Sequence, residues 1–221
     1  MALIVHALGA YASYPHTETP WRQADFNINK LVKSLKGEPF RGYADIIGVD
    51  RKARRIVPEN DRAAYTIFGG WAAARVGSLN LDEVVLVPIP SSACTSFDVG
   101  STPLRMANCA QEYLKEKAKV GRWLRFKHPM PKSHQGGSRN QALLEDNLDL
   151  SDSFEPMRIV LIDDVKTTGA HIRACASFLR RQGAEVEVAL VAASTVWAQH
   201  PTPYRVEPED LESILNLDDI L

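Results

Sequence analysis

Two hydrophobic patterns take turns along the chain: unbroken apolar runs, and stretches in which apolar side chains return every third or fourth position. Leu3 to Leu8 is the first run and reads as a buried strand. Thr19 and Pro20 then resemble a cap with proline in the first turn, and Ile28, Leu31, Val32 and Leu35 recur at helical spacing until Gly37. Tyr43 to Val49 predicts a second strand, and Asp61 caps a helix whose Ala64, Ile67, Phe68 and Trp71 make one stripe ending at Asn80. Glu83 to Pro90 is an apolar strand closed by prolines, and Ser101 or Thr102 caps a helix with Pro103 just inside it. Gly121 to Phe126 predicts a short strand, whereas Lys127 to Gln141 has prolines, glycines and no apolar period, and reads as a long loop. Strand Ile159 to Ile162, helix Ala170 to Gly183 and strand Glu185 to Ser194 follow, before an acidic tail with Leu211, Ile214 and Leu215 on one short stripe.

Apolar strands alternating with helices predict an α/β fold, a Rossmann-like parallel sheet flanked by helices. Residues 81–200 are expected to form its core, 1–80 a hood-like N-terminal region of the same globular unit, and 201–221 an acidic C-terminal tail.

In the 221 residues, 26 Lys and Arg face 27 Asp and Glu, so the net charge of -1 gives no case for a nucleic-acid coat or an anionic membrane partner. The basic cluster Arg51 to Arg55 reads as a solvated turn between two elements, with nucleic-acid contact the weaker alternative. Cys94, Cys109 and Cys175 are far apart and odd in number; they outline neither a disulfide framework nor a zinc motif, which fits a reducing, cytoplasmic setting. The apolar opening imitates a signal peptide but lacks a basic start and is broken by His6. No run approaches the roughly 20 apolar residues of a membrane span.

The chemistry concentrates in "IVLIDDVKTTGAH", Ile159 to His171. Two ionised carboxylates behind a buried strand cost several kcal/mol if left desolvated and unpaired, so Asp163 and Asp164 must emerge from the sheet. In an open parallel sheet ligands bind at the carboxyl ends of strands, where the next helix offers unpaired N–H groups to an anion. Gly169 lets the backbone approach such an anion, and Thr167 and Thr168 add hydroxyl donors, which suits a phosphate monoester. The carboxylates repel phosphate; their natural partners are hydroxyls or a divalent cation. A ribose 5-phosphate has both ends. The plainer alternative makes these residues caps of the next helix.

"VLIDDVKTTGAH" resembles the motif with which type I phosphoribosyltransferases bind 5-phosphoribosyl 1-diphosphate (PRPP). "LVPIP", "SHQGGSRNQ" and Asn147-Leu148 further resemble the ComF/GntX branch of that family, over about residues 83 to 195. The resemblance implies Asp163 and Asp164 on the ribose hydroxyls and, through water, on Mg²⁺. Lys166, Thr167, Thr168, Gly169 and Ala170 then cradle the 5-phosphate. The amides of Ser91, Ser92 and Ala93, with Lys132 or Arg139 from the long loop, are implied at the leaving diphosphate. ComF relatives carry an N-terminal cysteine zinc module, yet this chain has no cysteine before Cys94. They also have basic residues after the "VPIP" strand, whereas Ser91 to Thr102 has none, and His171 replaces their usual threonine or serine.

Two functions stay open on this reading. One is a Mg²⁺-dependent phosphoribosyltransferase that consumes PRPP with an unidentified, base-like nitrogen acceptor. The other is a non-catalytic module that binds PRPP or another ribose phosphate, in regulation or as an accessory of DNA uptake. A homodimer stays open as well, and no membrane partner is expected.

Overall fold

The computed structural model describes residues 2–97, 100–130 and 140–213. Strands β1 (Ile4–Ala12), β4 (Val84–Pro88), β5 (Ala118–Val120), β8 (Arg158–Lys166), β9 (Glu185–Val196) and β10 (Glu209–Asp210) form the central sheet, in the order β10-β1-β9-β8-β4-β5. All neighbours are parallel except β10, which runs antiparallel to β1. The α/β class expected from the pattern is the one adopted: a mostly parallel sheet with helices on both faces. Helices α1 (Gln23–Lys36), α2 (Arg62–Ser78) and α3 (Thr102–Leu114) bury Ile28, Leu31, Phe68 and Met106 against Leu86, Val160 and Leu190 on one face. Helices α4 (Gln141–Asn147) and α5 (Ala170–Arg181) bury Leu144, Ile172 and Leu179 against Val87, Leu161 and Val191 on the other. Each central strand therefore contributes side chains to two cores, which is why its middle is a continuous apolar run and not an alternation.

Several boundaries differ from those the pattern predicts. The first strand continues to Ala12 because it stays paired with β9 as far as Val196. Helix α1 starts at Gln23, beyond Thr19 and Pro20, because the Asp25 carboxylate accepts the Arg22 N–H at 2.8 Å and holds the guanidinium at 3.0 Å. The basic cluster is only partly a turn: β2 (Ala44–Ile47) and β3 (Ala53–Ile56) make an antiparallel hairpin, and Arg54 and Arg55 lie on the second strand. Gly121 to Phe126 splits, with β5 ending at Val120 in the main sheet and β6 (Leu124–Phe126) pairing instead with β7 (Leu148–Leu150). Of the expected loop, residues 131–139 lie outside the described residues; Asn140, after them, caps α4 by accepting the Ala142 N–H at 2.9 Å. The tail docks through β10 and the buried Leu211, whose N–H donates to the Leu3 carbonyl at 3.0 Å. Ile214 and Leu215 lie outside the described residues.

Candidate active site

The connection from β4 to β5 runs through α3 on one face of the sheet, and that from β8 to β9 through α5 on the other. The chain thus leaves β4 and β8 in opposite directions, and such a reversal opens a crevice at the carboxyl ends of the two strands. Prolines deepen it. Pairing of β4 with β8 ends at Pro88 and Ile162, with one further bond from the Ile89 N–H to the Ile162 carbonyl at 2.9 Å. Pro90, one residue on, faces the β5 side, as Leu86 does in accepting the Gly121 N–H, and has no N–H to offer there. From Asp163 to Lys166, β8 is paired only with β9, and its open edge faces a cleft of about 780 Å³.

Asp163 and Asp164 both line this cleft. They still lie on paired strand and not in a turn, so they lean to opposite faces. Asp163 lies toward α5, where its charge bears on the buried Cys175 thiol. Asp164 lies toward α1, where Lys36 Nζ is 3.6 Å from its Oδ2. Burial, and then the neighbouring charge of Asp164, push the Asp163 carboxyl well above the usual carboxylate range. The Asp164 N–H donates to Asp163 Oδ1 at 2.8 Å and the Val165 N–H to Asp164 Oδ1 at 2.6 Å, which fixes both side chains against their own backbone.

Beyond the carboxylates, Gly169 takes φ 78°, a left-handed conformation that favours glycine, and caps α5. A Cβ there would meet the Leu211 side chain at 2.8 Å, so the turn has no room for one. Thr167 and Thr168 are exposed at the cleft, and the Thr168 hydroxyl accepts the Ala170 N–H at 3.4 Å. Lys166 departs from its expected role. Its side chain is 8% exposed and its ammonium is held by Glu209 and, at 3.3 Å, by the Ser194 hydroxyl, which leaves its backbone for the phosphate contact the resemblance implies. His171 lies against Phe126, with ring centroids 6.0 Å apart and planes tilted by 59°, and burial lowers its pKa, leaving it neutral at pH 7.

Across the cleft, Ser91, Ser92 and Ala93 form a turn closed by the Cys94 N–H on the Ser91 carbonyl at 2.8 Å. Lys132 and Arg139 lie outside the described residues. The cleft also takes in Tyr11, Ser13, Lys36, Glu38, Thr195 and Trp197, of which the motif gave no sign. Trp197 is 72% exposed at the end of β9, an unusual place for so large a ring.

No protein-family model matches the chain, and no curated protein matches it. Among solved structures it is similar to the orotate phosphoribosyltransferase from Aeropyrum pernix, over 73% of this chain and 79% of that one, at 19% identity and a TM-score of 0.36. It is also similar to TT1426 from Thermus thermophilus, over 63% of this chain and 86% of that one, at 16% identity and a TM-score of 0.36. Likenesses this distant do not decide the chemistry, which rests on the residues of the cleft. Among the described residues, no helix is long and apolar enough to cross a membrane.

Proposed function

We propose that this protein is a Mg²⁺-dependent phosphoribosyltransferase that uses PRPP as donor and a nitrogen nucleophile as acceptor. The observation that carries the reading is convergence. One cleft presents the carboxylates of Asp163 and Asp164, the glycine-capped N-terminus of α5 and the facing backbone turn of Ser91 to Ala93. Hydroxyls suit the first, and phosphate groups suit the other two. PRPP carries vicinal hydroxyls between a 5-phosphate and a 1-diphosphate.

In this reading Asp163 and Asp164 accept hydrogen bonds from the ribose hydroxyls, while the amides of Lys166 to Ala170 and the Thr167 and Thr168 hydroxyls hold the 5-phosphate. As the bond from C1 to the diphosphate oxygen breaks, the electron pair departs with diphosphate and positive charge builds on the ring. Negative charge on the acidic pair stabilises the ring. The acceptor nitrogen forms the new bond to C1 and releases its proton to water.

The residues present fit Mg²⁺. An acidic pair with one carboxyl pushed toward protonation is short of positive charge, and among the described residues no third His, Cys, Asp or Glu joins it. That donor set suits a cation shared with substrate phosphates. Asp163 and Asp164 would reach it through water, and when bound it would offset charge on the diphosphate.

Calorimetric titration with PRPP, with and without Mg²⁺, followed by diphosphate-release assays across nucleobases and small amines, tests the reading. Asp163→Asn with Asp164→Asn is expected to lower release by about 10³-fold or more with the circular dichroism spectrum unchanged; retained turnover would sink the proposal. The lack of basic residues in Ser91 to Thr102 favours a second reading, a ribose-phosphate sensor of the ComF/GntX type. Binding without release from any acceptor is its signature.

A further inference from the structure

A leaving diphosphate needs positive charge, and the described residues of the cleft offer little. Ser91 to Thr102 contains no Lys or Arg, the Lys166 ammonium is engaged by Glu209, and His171 is neutral. Lys36 is the other basic residue among those lining the cleft. Its side chain is 32% exposed, and its 3.6 Å approach to Asp164 is an ion pair too long for a direct hydrogen bond, so its N–H donors remain open to a ligand.

The fold holds this lysine in place. Lys36 is the last residue of α1, and Gly37 ends the helix at φ 68°, with its N–H on the Ser34 carbonyl at 3.2 Å. The Glu38 N–H returns to the Lys33 carbonyl at 2.8 Å, completing a tight C-terminal cap. The Thr102 hydroxyl donates to the Leu35 carbonyl at 3.3 Å, which fastens the end of α1 to the start of α3 beside the cleft. The ammonium is consequently held beside the Asp164 carboxylate, in the cleft that the Ser91 to Ala93 turn also lines.

We propose that Lys36 is a catalytic residue that binds the departing diphosphate, exchanging Asp164 for the substrate's oxygens when PRPP enters. The proposal rests on the phosphoribosyltransferase reading. It places the cation that the segment after β4 lacks on the N-terminal region, outside the recognisable motif.

Titrations of the full chain in Mg²⁺ with PRPP, inorganic diphosphate and ribose 5-phosphate test it in the wild type, Lys36→Met and Lys36→Arg. Lys36→Met is expected to weaken PRPP and diphosphate about 10- to 100-fold, with ribose 5-phosphate changed less than about twofold. Lys36→Arg is expected to recover most of the loss. Equal weakening of all three ligands, or none, overturns the assignment. Wild-type protein that takes diphosphate but not PRPP overturns the transferase reading and leaves Lys36 to be judged on diphosphate alone; wild type that takes neither overturns both.

Discussion

Asp163 is a carboxyl that the fold hinders from ionising. Its pKa in the folded chain lies above the unfolded value, so the folded state holds the proton more tightly. Stability linked to this group is complete below the ordinary Asp range, near pH 4, and is lost as pH rises through the raised folded value. Asp163→Asn is therefore expected to raise the melting temperature by a few degrees at pH 7 to 8 and to leave it unchanged near pH 3. Thermal melts across that pH range check this, and a variant less stable than wild type at neutral pH contradicts it. The acidic pair was legible in the sequence because buried strands rarely end in two charges. Lys36 was not, since a lysine closing an amphipathic helix is already accounted for by the negative end of the helix dipole. Only folding brings it to Asp164. Lys166 misled for the opposite reason: its place in the motif suggests a phosphate contact, while burial and Glu209 take its side chain elsewhere.

At the level of elements, the turn from β8 into α5 was legible from Thr-Thr-Gly, but its buttress was not. Gly169 packs against Leu211, forty-two residues further along the chain by numbering, in a tail whose acidic composition points to solvent. Gly169→Ala is expected to destabilise the protein by about 1–3 kcal/mol, from both the left-handed backbone and the collision. Leu211→Ala in the same chain should return part of that loss, a coupling of about 0.5–3 kcal/mol in a double-mutant cycle. Additive losses would show that the two residues do not press on one another. Strand β2 was legible in Tyr43 to Val49, but its partner β3 escaped the pattern because Arg54 and Arg55 occupy half of it. Asp50 and Asp45 hold those two guanidinium groups, leaving fewer free cations for a polyanion than the cluster Arg51 to Arg55 suggests. Helix α4 and strand β7, at seven and three residues, are too short to show a period.

Over the whole molecule, ion pairs differ sharply in what they do. Lys117 and Asp82 are each 68% exposed, and removing either is expected to leave stability unchanged. Glu209→Gln instead strands the buried Lys166 ammonium, for an expected loss of about 1–3 kcal/mol; chemical denaturation of the two variants compares them directly, and equal stabilities would contradict the contrast. The parallel sheet was readable from its apolar strands, whereas its order, with β1 inserted between β9 and β10, was not, because pairing between distant strands leaves no local period. That order has a consequence for synthesis. Residues 209–211 close the sheet edge on Leu3 to Val5, hold Lys166 and seat against Gly169. A chain emerging from a ribosome can form β8 and α5 long before this closure, and closing so long a loop is slow. Its Gly169 turn stays unbraced until Leu211 has been made and has docked, so a nascent protein completes the cleft only after nearly all of its described fold has been made.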